Sequence, residues 1–291
     1  MRLFVFIALL YVLPRAQGQE FTQIDFPSAE ATTLLSISRD GGVVGSFTIR
    51  TGRRYGFFLD TVGVFRTIDF AGAAETTAFG INLHGTTVGS YKDAAGRSYA
   101  YILQRGEFTA IDVPGAVDAC GLGTNGRSDV IGSYEDSDGG VHGFFRRLSR
   151  ISTIDFPEAF ATVTRSVNSY GDIVGYYEDA EATTHGFRLA QEVFTTIDFP
   201  GAIETRAAGI NSRGDVTGSY KDADGTHGFL LRRELYAGFD FPGAVSTTAA
   251  GINAAGDIVG YFQDASGSSH GFLLEGQIVE VPAHVGGDGF P

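Results

Sequence analysis

The chain has one cysteine, Cys120, so it can form no intrachain disulfide and offers no cysteine for lipid attachment after the leader. Positive charge is scarce: 21 Lys and Arg stand against 34 Asp and Glu, a net charge of −13. That balance argues against nucleic acid or an anionic membrane surface as a partner, since both require clustered cations. Beyond residue 13 no apolar run is long enough to span a bilayer. No window sustains a 3.6-residue apolar period with caps at its ends, which excludes long helices. Ser-His-Asp order, an HExxH pair and a nucleotide-binding loop are also missing.

The N-terminus reads as an export leader. Arg2 precedes the apolar run Leu3 to Leu13, and Ala16-Gln17-Gly18 is a small-x-small cleavage site. Residues 1–18 are therefore expected to be removed near Gln19, leaving a secreted chain at 19–291. Without disulfides, burial and strand pairing must supply its stability.

An Ile-Asp-Phe-Pro phrase, or a variant, recurs at Asp25, Asp69, Asp112, Asp155, Asp198 and Asp240, in steps of 44, 43, 43, 43 and 42 residues. A constant period in the forties marks one supersecondary unit copied in tandem. Forty-one glycines and few charges suit short strands joined by tight turns. In the fifth copy, strands are expected at 207–211, 215–220, 227–231 and 235–241, with three hairpin-length connections and one longer crossing from Pro242 to Thr248. That is the connectivity of a propeller blade; an open β-solenoid has shorter coils without hairpins. The sequence thus predicts an all-β, six-bladed β-propeller of four-stranded antiparallel blades in one domain. Seven outer-strand phrases serve six inner triplets, and residues 21–26 fit the repeat better than Val279 to Pro282. The N-terminal segment is therefore expected to complete the last blade.

The alternation of Gly-Ile-Asn, Gly-Asp-Ile-Val-Gly-x-Tyr and His-Gly-Phe resembles the extracellular HAF-type repeat. The triplet stands at His142-Gly143-Phe144, His185-Gly186-Phe187, His227-Gly228-Phe229 and His270-Gly271-Phe272, and departs to Tyr55-Gly56-Phe57 and Tyr99-Ala100-Tyr101. The resemblance spans essentially the whole mature chain. It implies an exported repeat protein and brings no activity or catalytic residues with it.

Most repeated residues read as structural. The glycines Gly45, Gly89, Gly132, Gly175, Gly218 and Gly260 are expected to make room for an aromatic ring of a neighbouring sheet. Ala100 in place of a third-strand glycine implies a need for small size. Equivalent histidines in separate blades cannot converge on one ion, so they read as rings whose polar tips bond a turn or a neighbouring blade, and no metal or cofactor is expected. The Asp of each Ile-Asp-Phe-Pro is expected to accept backbone N–H bonds from the crossing that follows. Asp136-Ser137-Asp138-Gly139 and Asp222-Ala223-Asp224-Gly225 read as hairpin turns rather than calcium loops. Asn82, Asn168, Asn211 and Asn253 read as turn starters, with Ser38 able to do the same and Gly123 not. Blade three is expected to depart there, with a shorter crossing (113–119) and a longer turn (124–129).

Function in a repeated ring is expected where symmetry breaks, on the face shared by the crossings and the second-to-third-strand turns. The candidates are Arg165, Arg206, Glu204, Asp118, Glu75 and Phe160, with Lys92, Arg97 and Glu181 nearby. Arg165 and Arg206 are expected in adjacent crossings. Six equivalent aspartates cannot play the unlike roles that acid chemistry needs. The expectation is a non-catalytic monomeric module that binds an extracellular glycan or protein. The alternative is a hydrolase or lyase acting on a polysaccharide or glycoside at the central depression.

Overall fold

The computed structural model describes Tyr11–Val12 and residues 20–276. Its strands fall into six antiparallel units. Unit one is β3 to β6 (Ala31–Ile37, Val43–Thr48, Arg54–Leu59, Phe65–Ile68) and unit two β7 to β10 (Glu75–Ile81, Thr87–Lys92, Ser98–Gln104, Glu107–Ile111). Unit three is β11 to β14 (Ala116–Thr124, Val130–Asp136, Val141–Arg147, Arg150–Ile154) and unit four β15 to β18 (Ala161–Val167, Ile173–Glu178, Thr184–Ala190, Val193–Ile197). Unit five is β19 to β22 (Glu204–Ile210, Val216–Lys221, Thr226–Arg232, Leu235–Phe239), and unit six β23 to β25 (Ser246–Ile252, Ile258–Gln263, Ser269–Glu275). The fourth strand of unit six is β2 (Glu20–Ile24), paired antiparallel to β25 from Glu20–Glu275 to Ile24–Gly271. The short β1 (Tyr11–Val12) lies outside β2. One parallel pair, Val141 with Ala161, joins units three and four into a continuous sheet.

Every first strand carries a bulge at the same place. The extra residues are Leu35, Phe79, Leu122, Arg165, Ala208 and Ala250. The second-strand glycines exist because of this bulge. A Cβ on Gly45, Gly89, Gly132, Gly175, Gly218 or Gly260 would overlap a carbonyl oxygen of its own first strand, that of Thr33, Thr77, Cys120, Val163, Arg206 or Thr248, and would crowd the buried ring of its own third strand. The ring therefore comes from the same sheet, not from the neighbouring one. The third-strand site does demand small size: Gly56 faces Ala78 of the next unit, and its counterpart Ala100 is fully buried.

Each unit drives one aromatic into the core. Phe57, Tyr101, Phe144, Phe187, Phe229 and Phe272 are all completely buried, each contributing about 2–3 kcal/mol of transfer free energy. The Phe of Ile-Asp-Phe-Pro links neighbours: it ends one unit and stacks on the second-strand ring of the next. Phe26 lies 3.6 Å from Phe47, Phe70 3.8 Å from Tyr91, Phe156 3.7 Å from Tyr177, Phe199 3.7 Å from Tyr220 and Phe241 3.7 Å from Phe262. The same Phe donates its N–H to a threonine Oγ1 in the following first strand, as Phe199 does to Thr205 at 3.0 Å.

The aspartate of the phrase does not cap the crossing. Asp155, Asp198, Asp240 and Asp25 bond Nδ1 of His142, His185, His227 and His270 at 2.9–3.1 Å, and Asp69 pairs with Arg53 at 3.0 Å. Each histidine Nε2 reaches a second carboxylate, in the hairpin turn: Asp136, Asp179, Asp222 or Asp264. Those turn aspartates also collect backbone N–H groups, as Asp136 does from Asp138 and Gly140, which is hairpin chemistry.

The turn asparagines behave as expected and do one thing more. Asn211 Oδ1 accepts from the N–H of Arg213 and Asp215, with Gly214 closing the turn at φ 82°. Its Nδ2 donates to the carbonyl of Asn253 in the next unit at 3.1 Å. Asn82 donates likewise to Asn125, Asn125 to Asn168 and Asn168 to Asn211. Unit three therefore does not depart here. Asn125, not Gly123, is the turn starter, the crossing ends at Gly115, and β11 is a longer strand.

Candidate functional site

First strands of successive units approach one another through backbone: Gly80 meets Gly123, Gly209 meets Gly251, and Gly251 meets Ser36 of unit one. The six bulged residues line a narrow axial space of about 90 Å³. Five of them are apolar; the sixth is Arg165, whose guanidinium lies 6.0 Å from the ring of Phe79.

The crossings and the second-to-third-strand turns share one face. The crossing amides of Ala74, Phe160, Ile203 and Val245 donate to the second-strand carbonyls of Lys92, Glu178, Lys221 and Gln263. On that face a cleft of about 420 Å³ opens over unit five and reaches Arg165 on the axis. Arg206 and Glu204 line it too, so three sequence candidates meet in one cavity. Both arginines stand in first strands, β15 and β19, rather than in crossings. A bulge inside the strand cannot be read from residue type, and the strands start earlier than the turn signals suggested.

The other candidates lie elsewhere. Glu75 pairs with Lys92 at 3.7 Å in unit two. Asp118 accepts the Ser98 N–H and lies in β11. Phe160 is 78% exposed in the crossing before unit four.

Two residues that carry the cleft walls are Tyr176 and Tyr261. They occupy the x of the second-strand Val-Gly-x-Tyr motif, where the other units have Ser46, Ser90, Ser133 and Ser219. The signal was present in the sequence as a serine-to-tyrosine exchange in two units flanking a third. Arg206 lies over the Tyr176 ring at 5.2 Å. Glu204 holds Arg206 at 3.4 Å and Lys221 at 3.5 Å. Arg165 has no ion pair or hydrogen bond from its side chain among the described residues.

The opposite face has a larger hollow of about 1040 Å³. Three of its four lining arginines are engaged: Arg188 bonds Asp172 at 2.8 Å, and Arg213 and Arg232 pair with Asp215 at 2.9 and 3.3 Å, while Arg233 forms no ion pair among the described residues. Those three neutralise carboxylates near the turns of the Asn ladder.

No protein-family model matches the chain, and no curated protein matches it either. Its fold is similar to that of several solved propeller structures. A SapL1 lectin in complex with α-methyl fucoside aligns with TM-score 0.57 at 12% identity, covering 88% of this chain and 98% of the other. A point mutant of the Aleuria aurantia lectin, solved with Fucα1-6GlcNAc, gives 0.56 at 9% identity, over 88% and 99%. A streptogramin B lyase gives 0.54 at 11% identity, over 89% and 98%. At these identities the likeness establishes the class of fold, an all-β assembly of antiparallel four-stranded sheets of propeller type.

Proposed function

We propose that the six units close as a six-bladed propeller of the HAF-repeat kind, exported after cleavage near Gln19, and that the cleft over unit five binds an extracellular glycan without catalysis. The cyclic approach of the first strands and the pairing of β2 with β25 support closure. Cleavage at that point would remove β1 and leave β2 intact. The observation that carries the binding reading is the convergence of residues that break the repeat: Arg165, Arg206, Tyr176 and Tyr261 line one concave cavity of ligand size. Aromatic faces and polar tips suit the apolar faces and hydroxyls of a sugar ring. The fucoside-bound lectins give the same fold a glycan-binding precedent.

A hydrolase or lyase would require two unlike titratable groups at this position. Glu204 is the single carboxylate lining the cleft, and it is held between two cations. The binding reading is therefore favoured, with the chain acting as a monomer. A glycan array probed with the mature chain is expected to give a defined set of hits without turnover. Tyr176→Ala combined with Tyr261→Ala should weaken the strongest hit by about tenfold or more, roughly 1.4 kcal/mol, at unchanged melting temperature. An array with no hits, or hits indifferent to both tyrosines, would remove this reading.

A further inference from the structure

We infer that the cleft selects a saccharide bearing an acidic group, a carboxylate or a sulfate ester, and that Arg165 is the residue that reads it. The inference rests on the glycan reading and narrows it. The cleft brings three cations, Arg165, Arg206 and Lys221, to one carboxylate, Glu204. This is a local positive excess in a chain whose net charge is −13. The pairs within the cleft are weak ones: Arg206, Lys221 and Glu204 keep 48%, 52% and 31% of their side-chain surface in solvent. An incoming anion can exchange with them at little cost. Arg165 differs, being half-buried with its guanidinium 6.0 Å from the Phe79 ring and no side-chain ion pair or hydrogen bond among the described residues. A guanidinium there presents a planar fork of donors with no acceptor from the protein, the geometry that carboxylates and sulfates fill with two parallel bonds.

The shape adds the sugar. About 420 Å³ is far more than one small anion needs, and Tyr176 and Tyr261 stand on opposite sides of unit five. A ring placed between them can direct an acidic substituent toward the axis. Glu204 then limits the charge: one acidic group is favoured by the three cations, while a densely anionic chain would meet a like charge.

Isothermal titration calorimetry of the mature chain tests this with two matched pairs, digalacturonate against its methyl ester and galactose 6-sulfate against galactose. At least one acid is expected to bind tenfold tighter than its neutral partner, with the advantage shrinking as sodium chloride rises. The pair that shows the preference identifies carboxylate or sulfate. Arg165→Gln should abolish the preference, weakening the acid at least tenfold relative to its neutral partner. Glu204→Gln should strengthen acid binding severalfold relative to the neutral partner. If Arg165→Gln unfolds in a thermal melt, Arg206→Gln, exposed at the cleft rim, should show a smaller loss of the same preference. Neutral sugars binding as well as their acids would overturn the inference and leave the glycan reading standing. No binding by any of the four, together with an empty array, would overturn both.

Discussion

Units two and five share many local devices, yet the cleft described above opens over unit five. Both place a glutamate at the head of the first strand and a lysine at the end of the second, and both pairs form: Glu75 with Lys92 at 3.7 Å, Glu204 with Lys221 at 3.5 Å. Both have serine inside the second strand and an aromatic pair stacked beside it. Around the cleft the difference lies in four places. Thr77 becomes Arg206, and the bulged Phe79 becomes Ala208. The flanking serines of units one and three, Ser46 and Ser133, become Tyr176 and Tyr261 in units four and six. Phe79 and Ala208 both line the central space beside Arg165, and Ala208 lines the cleft as well. A cleft can thus be made from a structural repeat by exchanging side chains on an unchanged backbone.

The first way to break the comparison is to attack what the two units share. Gly89→Ala and Gly218→Ala each drive a methyl into a carbonyl of the bulge, that of Thr77 or Arg206. Each is expected to cost about 3 kcal/mol or more, a fall of roughly 6–12 °C in melting temperature for a chain of this size. Calorimetry of the two variants should give similar losses. A tolerated alanine at either position would show that the glycine is not what secures the bulge.

A sharper test converts one unit into the other. Arg206→Thr with Ala208→Phe reproduces unit two inside unit five. The melting temperature should move by no more than about 3 °C, because the exchanged groups are half-exposed or small. Digalacturonate binding should fall tenfold or more. A large stability loss with binding retained would mean that the cleft is a packing device.

The smallest effect separates both units at the outer rim. Unit five carries His227 between Asp240 and Asp222, whereas unit two carries Tyr99 with Asp93. Hydrogen bonds with Asp155 hold His142 above its ordinary pKa. Burial pulls His185 and His227 down, but their aspartate bonds outweigh it and the net shift is upward. The turn aspartates shift the other way. Backbone N–H donors lower Asp136, Asp179 and Asp222, and Ser266 with its neighbours brings Asp264 to about 2. A raised histidine contributes stability below its unfolded pKa of about 6.5 and loses it as pH rises through the folded value. A lowered aspartate contributes above about 3.9 and loses that as pH falls through the folded value. The melting temperature should therefore peak between about pH 4 and 6.5 and decline by a few degrees toward pH 8. His227→Gln should flatten part of that alkaline decline, while Tyr99→Phe should leave it intact. A profile flat from pH 6 to 8 would remove the charged-histidine account.

The repeat made the class of fold legible, because period, hairpin turns and the one long crossing are written in residue type. The fourth strand of the last unit is legible as well, since residues 21–26 carry the repeat phrase and residues 20–24 pair with β25. The bulge was not: it depends on where a carbonyl points, and the glycine that permits it looks the same for several reasons. Without it, Arg165 and Arg206 read as crossing residues and Gly123 reads as the turn position of unit three in place of Asn125. The interval from Asp112 to Asn125 equals that from Asp69 to Asn82, so counting from the aspartate would have found the right asparagine. Tyr176 and Tyr261 were hidden for the opposite reason. Tyrosine is ordinary in a strand, and only comparison between units marks it as foreign.

The asparagine ladder has an end. Four rungs run from Asn82 to Asn253, and unit one holds Ser38 instead, whose Oγ serves only its own turn through Gly42. At the junction of units six and one, β2 and the stacked Phe26 hold the neighbours together where the ladder does not. In the closed ring proposed above, the N-terminal strand would act as a latch across a gap. Units two to six form a continuous spring, and the N-terminal strand is the catch. Stress or heat should release that catch first, while unit five and its cleft stay clamped by a rung on either side.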